Sequence, residues 1–144
     1  MSLGTICDDT LVLYIVATYT EVQRVISDYF PAEFGIFFDG WTFKSEHYLA
    51  VFAAFGHDGK QETVLLAMAP LLDKEHDADA HIAFLKTILK PVKRHVECVR
   101  FLVGDNCSVT GSIATKLRIP LVGCASHRLN LAMNQYLETY AYIL

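Results

Sequence analysis

The chain of 144 residues reads as a single α/β domain built on a five-stranded mixed sheet. Three observations predict it. Two continuously apolar runs, Phe34 to Phe38 and Phe101 to Val103, have the look of central strands and each leads into an acid. Between them lies an alternating pair of runs joined by Asp58-Gly59, a hairpin signal. The remaining apolar residues recur at helical spacing between the strands. A chain of this length buries roughly 70% of its unfolded surface. The 53% hydrophobic and 19% charged composition supplies ample core.

The first element is helical. Val22, Val25, Ile26, Tyr29 and Phe30 recur at helical spacing within Thr18 to Phe30, with Thr20 and Gln23 in capping-box register and Pro31 as a stop. The preceding run Leu11 to Ala17 is ambiguous between helix and strand, leaning to helix. Residues 1–33 thus form a helical lead-in, and 34–144 the core. The first strand covers Phe34 to Gly40, and its apolar character predicts cover on both faces. Tyr48 to Phe55 and Thr63 to Met68 follow as an antiparallel meander.

Asp77-Ala78-Asp79-Ala80 opens the next helix, acids at its positive end. Its stripe is Ile82, Leu85, Ile88, Leu89 and Val92, with Lys90, Lys93 and Arg94 closing it. Val99 to Asp105 is the fourth strand. A short helix bearing Val109, Ile113 and Leu117 ends before Pro120, and Leu121 to Cys124 is the fifth strand. Ser126 caps a last helix carrying Leu129, Ala132, Met133, Tyr136 and Leu137.

Several function classes recede. The longest apolar stretch, Leu11 to Ala17, is far below the ~20 residues that span a bilayer, and Asp8-Asp9 precede it where a secretory signal is basic. The expectation is a soluble, intracellular chain with no membrane partner. The four cysteines, Cys7, Cys98, Cys107 and Cys124, lack a CxxC pair and are expected reduced and mostly buried. A net charge of −4 disfavours a free-standing DNA-binding module, although a nuclease core tolerates acidity because its metal needs carboxylates. The unterminated apolar end, Tyr140 to Leu144, suggests a piece of a larger protein.

The element order, helix then β-β-β-α-β-α-β-α, is that of the RNase H-like fold. Right-handed crossovers set the first and fourth strands side by side, so Asp39 and Asp105 converge. Two neighbouring carboxylates repel unless a cation lies between them, and Mg²⁺ or Mn²⁺ suits oxygen ligands. Such ions support phosphoryl transfer. Taken singly, Asp39-Gly40 fits a turn and Asp105-Asn106 a helix cap. It is their matched topological positions that favour a site.

Three blocks then carry a family resemblance: Phe38-Asp39-Gly40-Trp41-Thr42, Gly104-Asp105-Asn106-Cys107-Ser108, and Cys124-Ala125-Ser126-His127-Arg128-Leu129-Asn130-Leu131. In this order they resemble the core of hAT-family DNA transposases, over about Phe34 to Leu137. The resemblance implies an RNase H-like catalytic domain with an Asp-Asp-Glu triad and Mg²⁺ or Mn²⁺. Asp39 matches the first acid and Asp105 the second. The third, a Glu beyond a helical insertion, lies past the end of this chain, and nothing in the motif assigns Glu138 that role. The fragment alone is therefore expected to be inactive.

The same resemblance implies transposon-end DNA as partner in the parent protein, a nuclear location, and homo-oligomers formed through absent regions. It puts His127 near the scissile phosphate, where a helix start attracts anions; packing at the strand–helix junction is the plain alternative. Trp41 stacks on a base or simply packs, and Arg128 is a candidate DNA contact. Asn106 and Cys124 are supporting residues, with Asn106 orienting Asp105 or capping the helix. Cys124 and His127 as zinc ligands need two further partners, and Cys98 and Cys107 are not at finger spacing. Asp73 to Asp77 reads better as a solvated helix approach than as a metal site. Two alternatives remain: a domesticated, transposase-derived interaction module without catalysis, and an ATP-using relative of the actin and sugar-kinase fold, which lacks its second phosphate loop here.

Overall fold

Strand pairing fixes the architecture. The computed structural model describes residues 7–44, 46–71, 77–105 and 107–140. Helix α1 (Asp8–Tyr29) leads into strand β1 (Phe34–Phe43), which turns into β2 (Glu46–His57) and β3 (Lys60–Leu71). Helix α2 (Ala78–Ile88), a short 3₁₀ turn (Val96–Cys98), β4 (Val99–Gly104), α3 (Ser108–Leu117), β5 (Leu121–Gly123) and α4 (Ala125–Glu138) complete the chain. The sheet order is β3-β2-β1-β4-β5. β1–β2 and β2–β3 are antiparallel, and β1–β4 and β4–β5 are parallel. The expected α/β class, five-stranded mixed sheet, and central neighbouring of the first and fourth strands are all present.

The β2–β3 turn is where the sequence pointed. Asp58 and Gly59 both take positive φ, 49° and 73°, as a two-residue I′ turn requires. The core lies on one sheet face, where Ile36, Val51, Ala53, Val99 and Leu102 meet Leu85, Leu89 and Ile113. Burying such side chains contributes about 1.5–3 kcal/mol each. Tyr29 and Phe30 bring the end of α1 onto this face through ring contacts with Phe55.

The second face departs from expectation. By register it carries Phe37, Phe52, Leu65, Phe101, Val103 and Val122. These are half-buried or exposed, so among the described residues the central strands have packed helices on one face only. Continuous apolar character reflects cross-strand contacts here, such as the edge-on Phe37–Phe101 pair, and not two-sided cover.

Several boundaries also differ, and β2 and β3 extend beyond the expected Tyr48 to Phe55 and Thr63 to Met68 at both ends. β1 runs past Gly40 to Phe43 because Trp41, Thr42 and Phe43 pair with Tyr48, His47 and Glu46. α1 is one helix from Asp8, so Thr20 is interior: its hydroxyl donates back to the Val16 carbonyl (2.8 Å), and no capping box forms there. α2 stops at Ile88, short of the basic cluster, because Pro91 has no N–H to continue it. Arg94 instead donates its guanidinium to the Pro31 carbonyl (2.7 Å) and to the Phe30 carbonyl, tying down the α1–β1 connection. The cap of α4 is Cys124 rather than Ser126. Contrary to expectation the cysteines are not buried: Cys7 and Cys107 are exposed, and Cys98 and Cys124 half-buried. Asp77 does cap α2, accepting from the Ala80 N–H at 2.8 Å; the rest of the Asp73 to Asp77 cluster lies outside the described residues. No helix among the described residues is long and apolar enough to cross a membrane.

Candidate functional site

The ends of β1 and β4 open onto one cavity of about 420 Å³. Both Asp39 and Asp105 line it. The β1–β4 register pairs Phe37 with Val103, so each acid lies two residues beyond a matched pair. In a parallel ladder this gives them the same facing. Asp39 remains inside β1 opposite Ala50, while Asp105 follows the last residue of β4. Both residues are exposed.

The connection from β4 to α3 shapes Asp105. The N-cap of α3 is Cys107, whose sulfur lies 3.5 Å from the Thr110 N–H. Asp105 is therefore not the cap residue, and its carboxylate is held by side chains instead. The Thr110 hydroxyl donates to Oδ1 at 3.0 Å. The Cys107 thiol, then the Thr110 hydroxyl, the Cys107 backbone N–H and the nearby His127 imidazole hold the carboxyl below its ordinary value, against the opposing effect of burial. Thr110 is buried, and Gly104 admits it: a Cβ on Gly104 would meet the Thr110 methyl at 3.0 Å.

β5 delivers the third wall. The Cys124 N–H donates to the Gly104 carbonyl at 2.8 Å, extending the β4–β5 ladder by one residue and starting α4 beside Asp105. Cys124 and His127 consequently line the cavity. Trp41 lines it from the β1–β2 hairpin, 40% exposed and stacked on Tyr48 with ring centroids 5.5 Å apart and planes at 13°. Arg128 is exposed and is not a lining residue. Glu138, at the far end of α4, is not one either. Asn106 lies outside the described residues.

The lining residues that the sequence reading did not assign to the site include His47, Cys107, Thr110 and His81. A hydroxyl in the first turn of the helix after the acid is the signal that would have found Thr110. His81 had no such signal, because it sits inside an apolar helical stripe and reaches the cavity only through the tertiary fold.

The donor set can be weighed for a cation. Two carboxylates are hard oxygen ligands, and Mg²⁺ commonly takes one or two of these while keeping waters. The pair fits that chemistry. Among the described residues no group of three His, Cys, Asp or Glu side chains is arranged to hold a metal. A zinc set is not assembled either: Cys98 precedes β4 and Cys107 follows it, so the six-residue strand separates them. No protein-family model matches this chain, and no curated protein matches it.

Proposed function

We propose that this chain is the first part of an RNase H-like catalytic core of the hAT transposase type, with Asp39 and Asp105 as two ligands of a Mg²⁺ or Mn²⁺ site for DNA strand cleavage and transfer. The observation that carries the reading is the pair of carboxylates at matched ends of adjacent parallel strands, on one cavity with His127. When bound, the cation would supply charge neutralisation at a transferring phosphoryl group. The residues of this chain do the rest. Thr110 and Cys107 keep Asp105 ionised and oriented, His127 offers an imidazole at the start of α4, and the exposed Trp41 offers a flat face to a base. Nuclear location, transposon-end DNA and assembly into homo-oligomers belong to the same proposal for the parent protein.

Calorimetric titration with Mn²⁺ tests the reading. The expected result is saturable binding that falls at least tenfold in both Asp39→Asn and Asp105→Asn. Binding unchanged in either variant defeats it.

A second reading, an interaction module derived from a transposase but without catalysis, is favoured by a separate observation. The apolar residues Leu129, Met133, Tyr136 and Leu137 of α4, and Leu11 to Val16 of α1, are exposed. Exposed apolar patches of that kind mark protein-binding surfaces. Absent Mn²⁺ binding with a folded chain would favour this reading over the first.

A further inference from the structure

His81 stands on the wall of the same cavity, and its ring has one nitrogen committed and one available. The residue is only 8% exposed, packed edge-on against Phe38 with centroids 6.3 Å apart and planes at 90°. Phe38 immediately precedes Asp39 on β1, so the imidazole is anchored against the strand that bears the first acid. Nδ1 lies 2.8 Å from the Asp77 carbonyl oxygen. A carbonyl only accepts, so Nδ1 carries the hydrogen, and in the neutral ring Nε2 is left as an acceptor. No partner for Nε2 occurs among the described residues, and Nε2 is not among the fully enclosed unpartnered atoms, the one such atom being Ser27 Oγ. The remaining surface of a residue this buried opens where it lines a space, and that space is the cavity shared with Asp39, Asp105 and His127.

We infer that His81 is a ligand-contacting residue of this cavity, whose Nε2 accepts a hydrogen bond from an O–H group brought to the two acids. The inference rests on the phosphodiester reading above. It adds a specific recognition: the attacking oxygen of a phosphoryl transfer is an O–H, and an acceptor fixed by Asp77 at its other nitrogen orients that hydrogen. Of the three imidazoles that line the cavity, His47, His81 and His127, only that of His81 is buried. The fixed ring loses little freedom on binding, as useful positioning demands. Two sources fit this chemistry, the terminal hydroxyl of a DNA strand and a water molecule.

The test reads the imidazole nitrogens of the whole chain by long-range ¹H–¹⁵N correlation. Spectra are recorded in Mg²⁺ with saturating short single-stranded DNA, ending in either a 3′-hydroxyl or a 2′,3′-dideoxy terminus. His81→Phe assigns the His81 signals, and His81→Gln does so if the first variant fails to fold. The expected result is a shifted His81 Nε2 signal with Nδ1 unchanged. A shift with the 3′-hydroxyl strand alone identifies the strand hydroxyl as donor, and a shift with both identifies water. If His127 moves and His81 Nε2 does not, the inference is overturned while the reading of the site stands. If neither moves on saturation, or no DNA binds, the inference falls, and the Mn²⁺ titration decides separately whether the reading of the site falls with it.

Discussion

Phe37 on β1 and Val103 on β4 are register partners across a parallel pair, and each is followed two residues later by an aspartate. That relationship gives the cavity its acids. Asp105 then departs from the symmetry, because the Thr110 hydroxyl and the Cys107 thiol hold it while Asp39 stays within its strand.

The first prediction concerns Asp105. Its folded pKa is depressed, so it contributes stability that is present above the unfolded carboxyl value and is lost as pH falls through the folded value. Thr110→Val removes one donor and should raise the carboxyl pKa towards the ordinary range. Carboxyl ¹³C titration of Asp105 in both proteins measures this. An unchanged midpoint would show that the Thr110 hydroxyl does not contribute to the depression.

Gly104→Ala should disturb the same residue from beneath. A Cβ placed 3.0 Å from the Thr110 methyl requires that side chain to give by a few tenths of an ångström. Overpacking of this kind costs about 1–3 kcal/mol. The expected outcome is a lower midpoint of urea unfolding, with weakened Mn²⁺ binding because Thr110 carries Asp105. Stability lost without any change in metal affinity would argue against that coupling.

Arg94→Ala should destabilise by about 1–3 kcal/mol, the usual cost of unpairing acceptors held by a charged donor. Arg94→Lys should recover little of it. A single ammonium does not reproduce the fork that spans the Phe30 and Pro31 carbonyls. Chemical denaturation of the three proteins checks the order.

Ile36 is fully buried at the centre of the core face. Ile36→Ala should cost about 2–5 kcal/mol. The exposed Val12 and Ile15 of α1 should behave oppositely: Val12→Lys with Ile15→Lys should stay within about 0.5 kcal/mol of the parent per site. Thermal melts of both variants decide whether α1 contributes to the core beyond its last turns.

Much of this was legible in the chain itself. Asp58-Gly59 specified its turn through φ signs that few other dipeptides tolerate, and the apolar runs before Asp39 and Asp105 marked neighbouring strands. Long-range facts were hidden. Whether a second layer covers Phe37 and Phe101 is not encoded by their own hydrophobicity. His81 lines the cavity through the tertiary fold, which sets its ring edge-on to Phe38. Pro91 was a visible stop for α2, but the basic residues beyond it looked like a dipole-matched end, and Arg94 served two carbonyls more than 60 positions earlier instead.

The irregularity where Phe34 pairs with Val99 but Gly35 pairs with Phe101 leaves Arg100 without a counterpart. That single extra residue is why Val99 and Leu102, three apart, are both buried on the core side. Counting on from Phe34 without it, Asp39 would fall opposite Gly104, and the two acids would have opposite parity. The metal cradle proposed here therefore depends on an odd-or-even choice made a full strand length away. Deleting Arg100, the residue left over, would make the ladder regular while keeping Leu102 opposite Ile36 and both acids on the same side.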